Sequence, residues 1–382
     1  MNSRHYYYFL RRNPNTTPTK KSYAPWLKWH IDLPLMTLLI LINLVGLLQL
    51  YSASGSDLGL VIKQASSFMI GVLAMLFIAQ IPPRIYKAMS PWLYLGIVIL
   101  LVMVALFGTV AMGARRWLTI PHVTRFQPSE FMKLAMPMMM AWFLANTTLP
   151  PKFKHVLLAL VIILIPTLLI ARQPDLGTAL LVTSSGFFGL FLAGLPWWFL
   201  GLSVLSAAAI APVAWHFLHD YQQQRILTLI NPEADPLGTG WNIIQSKTAI
   251  GSGGLGGKGW LNGTQAHLDF LPEGHTDFII ATYSEEFGLM GIIALLTLYS
   301  LILIRCLYIA TTATDSYSRL LAGAISLSFF VYVFVNAGMV SGILPVVGVP
   351  LPFISYGGTA MLTLLSGFGI LMSIHTHKKL LD

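Results

Sequence analysis

The chain has 382 residues, 55% of them hydrophobic and only 10% charged, which places it among polytopic membrane proteins and excludes an ordinary soluble domain. A single cysteine, Cys306, excludes a disulfide framework and a thiolate metal cluster, and is expected to fill the core or face lipid. The 23 basic side chains outnumber the 14 acidic ones, but most of the basic ones flank apolar spans, so topology accounts for the excess and no nucleic-acid partner is expected.

Residues 1–30 carry Arg4, Arg11, Arg12, Lys20, Lys21 and Lys28 among prolines, without a compact apolar run and small-residue cleavage site. A basic cytoplasmic tail is expected there rather than a cleaved signal peptide. Residues 31–382 are expected to form one membrane domain. Apolar stretches of about twenty residues suit a bilayer, and ten are expected: 34–52, 62–81, 90–110, 130–148, 155–171, 176–193, 196–218, 278–304, 319–340 and 352–376. The fold class is therefore an all-α polytopic membrane protein with about ten transmembrane helices. An even number places both termini on one side. With that side inside, fourteen Lys and Arg residues fall in inner segments and seven in outer loops, which favours cytoplasmic termini.

Between spans seven and eight, residues 219–277 form one large extracytoplasmic loop, periplasmic on this topology. It holds six of the fourteen acids: Asp220, Glu233, Asp235, Asp269, Glu273 and Asp277. Soluble-phase chemistry is expected there, and Asp277 lies where the loop re-enters an apolar helix, so its carboxylate can be partly desolvated and still reach water. The run Gly251-Ser252-Gly253-Gly254-Leu255-Gly256-Gly257-Lys258-Gly259 invites a phosphate-loop reading but has Ser252 and Gly259 where that pattern needs Gly and Ser or Thr. It is expected to fold the loop tightly over the bundle, with Lys258 exposed.

Ionisable groups within spans are costly and are functional candidates by default. Glu130 opens span four, with Lys133 three residues on, close enough to pair. Arg125 precedes them, so two cations surround one acid and leave positive charge for an anion. A structural ion pair and a functional role are equally open for Glu130. Asp175 is expected to cap span six. Glu285 and Glu286 fall about two turns into the eighth span, where one could face a cavity while the other needs a partner. Met136 and Met138–Met140 are expected to pack against neighbouring helices. His267, His275, His375 and His377 form no metal signature and are expected at surfaces or interfaces.

The passage Asn336-Ala337-Gly338-Met339-Val340-Ser341-Gly342-Ile343-Leu344-Pro345-Val346-Val347-Gly348-Val349-Pro350-Leu351-Pro352-Phe353-Ile354-Ser355-Tyr356-Gly357-Gly358 closely resembles the signature of the SEDS family, the shape, elongation, division and sporulation proteins. Agreement extends to Arg125-Phe126-Gln127-Pro128-Ser129-Glu130, Gln173-Pro174-Asp175-Leu176-Gly177-Thr178, Asp235-Pro236-Leu237-Gly238-Thr239-Gly240 and Glu273-Gly274-His275-Thr276-Asp277-Phe278. Within the family, Met339 to Gly348 and Gln80-Ile81-Pro82-Pro83-Arg84 resemble the elongation branch, the RodA proteins, rather than the division branch. Thr359 stands where the signature often has Ser, and Tyr6-Tyr7-Tyr8 is not a family feature.

The resemblance implies a peptidoglycan glycosyltransferase of the bacterial inner membrane that polymerises lipid II into β-1,4 glycan strands during elongation. It implies a class B penicillin-binding protein, a transpeptidase, as partner, beside lipid II, the nascent glycan strand and membrane lipid. It also implies Asp277 as the catalytic acid-base residue and Arg125, Glu130 and Lys133 in the substrate groove. Asp175, Lys247, Glu286 and Ser355 complete the candidate substrate contacts. No cofactor is built in; a divalent cation such as Mg2+ is the ion that a departing pyrophosphate would use, and its identity is open. Two rival classes stand beside this one: a lipid II flippase, for which buried charges would line a path, and a non-catalytic scaffold for the penicillin-binding protein.

Overall fold

The computed structural model describes residues 29–111, 114–119, 125–195, 220–234, 239–264 and 274–381, with scattered positions between 196 and 219. Its helices are α1 Leu33–Ala53, α2 Leu58–Ala79, α3 Pro83–Phe107, α4 Pro128–Ala145, α5 Phe153–Ala171, α6 Leu176–Leu192, α7 Asp220–Ile230, α8 Thr239–Gly253, α9 Ile279–Thr312, α10 Ser316–Val340 and α11 Gly358–Leu381. Seven helices among the described residues are long and apolar enough to cross a membrane: α1, α2, α3, α5, α9, α10 and α11. The 18-residue α4 and the 17-residue α6 occupy two further expected spans. The expected span 196–218 lies mostly outside the described residues, as does the basic tail.

In a chain with few acids, several of them start helices. Asp32, Asp57, Asp175 and Asp315 are the N-caps of α1, α2, α6 and α10, each accepting a backbone N–H that the helix itself cannot satisfy. Proline opens α3 and α4, where its missing N–H costs nothing. Met136, Met138 and Met140 of α4 are buried and Met139 is half-buried, in keeping with the expected packing of the methionine stripe, and Cys306 is fully buried in the core.

One small sheet interrupts the helical pattern. Strands β1 Thr109–Ala111, β2 Ala114–Thr119 and β3 Arg125–Phe126 form an antiparallel meander between α3 and α4, with Val110 opposite Arg115 and Leu118 opposite Phe126. Nothing in the apolar pattern marks it, because it is short and polar enough to pass as a loop.

The helix ends sort into two groups. At one end His30 Nδ1 lies 3.0 Å from Thr376 Oγ1 and the rings of His30 and His377 stack at 4.0 Å, so the start of α1 and the end of α11 share one face of the bundle. Burial, and then the nearby His377, push the His30 imidazole below its ordinary pKa. In the same region Arg305 holds the Asp32 carboxylate at 2.6 and 3.1 Å, with His375 Nε2 at 3.3 Å. His375 is therefore buried rather than at a surface; the acid that caps α1 draws it inward.

The opposite end is built from irregular chain. α11 starts at Gly358 rather than near residue 352, because Pro345, Pro350 and Pro352 cannot continue a helix and Gly342 and Gly348 take left-handed φ of 73° and 72°. Residues 341–357 thus run as an irregular segment with a turn at 352–354, its Val347 against Gly177 in the first turn of α6 and its Phe353 against Gly46 of α1.

α9 is broken at Gly288, whose φ is 63° and ψ −162°. A break at that point removes the i→i−4 bonds from Leu289 and Met290 to Glu285 and Glu286, leaving two carbonyls and two N–H groups at membrane depth. The Gly-rich segment takes all four. Lys258 N and Gly259 N donate to Glu285 O and Glu286 O at 2.9 Å, while Leu289 N and Met290 N donate to Gly254 O and Leu255 O at 3.0 and 3.1 Å. Glycine is required on both sides: a Cβ on Gly257 would stand 2.1 Å from Glu286 O, and one on Gly288 would stand 2.4 Å from Gly257 N. The expected tight packing of the loop is observed. Lys258 is exposed, as expected, and its ammonium reaches the buried Glu285 at 2.6 Å.

Candidate active site

Asp277 sits in the turn 274–278 that leads into α9, and it is half-buried. Two features hold it. The Asn336 amide, fully buried on α10, donates to Asp277 O at 2.9 Å and to Val349 O at 2.7 Å, tying the turn to the segment 341–357. Gly348, in its left-handed conformation, faces the carboxylate so closely that a Cβ there would be 3.3 Å from Asp277 Oδ2. The acid is thereby set close against the backbone of Gly348.

Ser355 anchors the same junction. Its hydroxyl donates to Thr276 O at 2.6 Å and accepts from Leu351 N at 2.8 Å. Gln64 of α2 adds a bond to Ser355 O at 3.0 Å, and Tyr356 N donates to His275 O at 3.1 Å. With both capacities of the hydroxyl used by backbone, Ser355 shapes the site by holding Thr276 beside Asp277.

Asp175 joins from the other side of the segment. Its Oδ1 caps α6 by accepting from Thr178 N at 3.1 Å, as the sequence predicts, and its Oδ2 accepts from Gln127 Nε2 at 2.7 Å. The first turn of α6 presses on the segment: a Cβ on Gly177 would lie 2.5 Å from Val347 O. Arg116, which in the sequence counts only as loop charge, reaches into this corner. Its guanidinium donates to the carbonyls of Gln173, at 3.0 Å, and Pro174. Among the described residues it makes no ion pair, so a cation stands beside the cap of α6. The signal that could have found it is the strand pattern of β2, which is too short to read.

Glu130 and Lys133 form a buried pair at 2.6 Å, with Thr363 Oγ1 at 3.4 Å from the second carboxylate oxygen and the Tyr332 ring 5.2 Å below the ammonium. The pair is electrically neutral, so it offers no spare cation by itself. Arg125 contributes backbone pairing with Thr119, and its side chain lies outside the described residues.

Glu286 and Lys247 stand apart from Asp277. Glu286 is 1% exposed and accepts from Ser52 Oγ of α1; the Gln49 amide, oriented as its neighbours require, donates to the other oxygen at 3.2 Å. Lys247, on α8, is exposed and lays its stem over Gly342, where a Cβ would meet Lys247 Cε at 2.3 Å. Glu285 is fully buried and accepts from Lys258 Nζ at 2.6 Å, Thr264 Oγ1 at 2.7 Å and Thr264 N at 3.0 Å. Among the described residues no three His, Cys, Asp or Glu side chains cluster as a metal site.

The fold and this corner define a class: a polytopic membrane protein whose helix-end loops present one partly buried aspartate against an irregular, proline- and glycine-rich segment. The chain belongs to the FtsW, RodA and SpoVE family of cell cycle proteins, which matches residues 31–380. It is 53% identical over 366 residues to the peptidoglycan glycosyltransferase MrdB of Escherichia coli strain K12, covering 96% of this chain and 98% of that protein. The peptidoglycan glycosyltransferase RodA of Treponema pallidum is 32% identical over 421 residues, covering 90% and 97%. A chain solved in a peptidoglycan synthase complex that coordinates polymerization and crosslinking superposes with a TM-score of 0.80 at 30% identity, over 92% of this chain and 99% of that one. The rod shape determining protein RodA of Thermus thermophilus superposes with a TM-score of 0.68 at 27% identity, over 90% and 96%.

Proposed function

We propose that this chain is a peptidoglycan glycosyltransferase that polymerises lipid II, with Asp277 as its general base. The observation that carries the reading is the setting of Asp277: a half-buried acid whose backbone carbonyl is clamped by Asn336 and whose carboxylate faces the backbone of Gly348. The 4-hydroxyl of an acceptor N-acetylglucosamine attacks the anomeric carbon of the lipid-linked donor and displaces undecaprenyl pyrophosphate. One displacement inverts the α-linkage to β. A sugar hydroxyl is a weak nucleophile, and a carboxylate within hydrogen-bond reach accelerates its attack by about 10²- to 10⁴-fold.

Charge then builds on the departing pyrophosphate, and fixed cations stabilise it where it forms. Arg125 is one such cation and Arg116 a second, while Lys133 contributes through its pair with Glu130, whose neutrality makes it a positioning element. Ser355 and Asp175 shape the pocket walls rather than contact substrate directly. Lys247, exposed over Gly342, is placed to meet a lipid-linked phosphate or glycan from outside, and Glu286 acts through the helix it anchors. A divalent cation, where one is used, would supply further charge neutralisation at the pyrophosphate.

The domain arrangement that goes with this reading has ten spans in the inner membrane, both termini cytoplasmic, and residues 219–277 on the periplasmic face beside Asp277. A class B penicillin-binding protein is the partner, a reading supported by the similar chain solved within a synthase complex. Transport by this chain is disfavoured because Glu130, Lys133, Glu285 and Glu286 are held by fixed protein partners. Purified protein mixed with lipid II separates the three classes. Glycan chains on a gel are expected; lipid II crossing vesicles without chains would indicate a flippase, and neither activity a scaffold.

A further inference from the structure

At the end of the bundle that holds both described chain ends, α3, α10 and α11 enclose a pocket of about 310 Å³ that plays no part in the reading above. That volume holds several waters, so the pocket can take a headgroup rather than a single ion. Arg84 and Lys87 line it from the first turn of α3, three residues apart and therefore on one face. Neither is ion-paired among the described residues. Asp315 is the acid at this pocket, and its Oδ2 already accepts from Ser318 N at 3.0 Å as the cap of α10.

Ser318 supplies the independent observation. It lines the pocket, is 2% exposed, and its hydroxyl has no hydrogen-bond partner. A buried hydroxyl without a partner is uncommon in proteins and points to a group that is absent. Tyr317 and Ile374 give the pocket an apolar side. Two cations, an unpartnered hydroxyl and an apolar wall, all at the ends of membrane helices, match a phosphodiester with a hydrocarbon chain leaving it.

We propose that this pocket binds the headgroup of an anionic phospholipid in the leaflet facing the chain termini, with the phosphate on Arg84, Lys87 and Ser318. The Asp315 carboxylate accepts a headgroup hydroxyl such as glycerol carries. Basic pockets between membrane helices take lipid headgroups by this chemistry, at about fivefold in affinity for each cation near the surface.

The test is native mass spectrometry of the full chain in mild detergent, titrated with phosphatidylglycerol, phosphatidylcholine or inorganic phosphate. Wild type is expected to retain phosphatidylglycerol over phosphatidylcholine. Arg84→Gln with Lys87→Gln should weaken it by roughly 25-fold, and Ser318→Ala, which keeps both charges and the fold, by a smaller but measurable factor. Lys152→Gln with Lys154→Gln, the cations of a neighbouring loop, should leave it unchanged. Equal retention by wild type and both site variants overturns the proposal. So does an equal loss on changing Lys152 and Lys154, which would mean diffuse surface charge. Binding of inorganic phosphate as tight as that of phosphatidylglycerol would make the site a free-phosphate site and overturn the lipid assignment.

Discussion

Three acids fall within ten residues of one another, and the protein treats them in two ways. Glu285 and Glu286 are 0% and 1% exposed and are held by donors from the Gly-rich segment and from α1. Asp277, one loop turn before α9, is half-buried and set against glycine backbone. Full enclosure by donors suits an acid that holds a broken helix together. Partial enclosure, with the backbone carbonyl clamped by Asn336, suits an acid that must exchange a proton with a substrate.

Substitutions on the two sides should separate cleanly. The largest effect is expected for Asp277→Ala, with lipid II polymerisation falling by about 10²-fold or more while unfolding in detergent is unchanged. Next is Asn336→Ala, which frees both Asp277 O and Val349 O; polymerisation should fall about tenfold or more, since each net hydrogen bond contributes about 1 kcal/mol to holding the turn. Product yield at saturating lipid II would check it, and wild-type turnover would show that the clamp is not needed.

On the structural side, Lys258→Ala leaves the buried Glu285 carboxylate without its counter-charge, and a loss of about 3 kcal/mol in stability is expected. Denaturant unfolding in detergent measures this, and an unchanged midpoint would place Glu285 with the functional acids. Gly257→Ala forces a side chain against Glu286 O at a left-handed φ, at a cost of about 1–3 kcal/mol. The smallest effect is expected for Ser355→Ala, about 1 kcal/mol from two lost hydrogen bonds partly replaced by water, with a matching fall in polymerisation.

Much of this was legible before the structure. Hydropathy finds α1 to α6 and α9 to α11, because span length is set by the bilayer and apolar runs report it, although the starts of α3 and α11 and the end of α9 lie six to eight residues from the expected bounds. The cap at Asp175 was legible because Asp before an apolar run has one common use. The break in α9 was not, since Gly288 is followed by a long apolar run and glycine is ordinary in membrane helices. Its meaning depends on Gly254 to Gly259, some thirty residues earlier, and pairing across such a distance leaves no local periodicity. Arg116 was passed over for the same reason: its partners, Gln173 and Pro174, are almost sixty residues away in sequence.

The roles of Glu130 and Lys133 show the limit differently. Spacing of three residues predicted their contact, and the contact is present at 2.6 Å. Spacing could not predict that Thr363 and Tyr332 would complete the enclosure of this pair, whose opposite charges cancel, and in the proposed mechanism the anion then falls to Arg116 and Arg125.

The central claim is that Asp277, alone among these acids, does chemistry. Purified wild type, Asp277→Asn and Lys258→Ala, each given lipid II under the same conditions and each checked for folding, test it on one gel. The account predicts long glycan chains from wild type, none from a folded Asp277→Asn, and chains from whatever fraction of Lys258→Ala remains folded. Glycan synthesis by Asp277→Asn at the wild-type rate would contradict it.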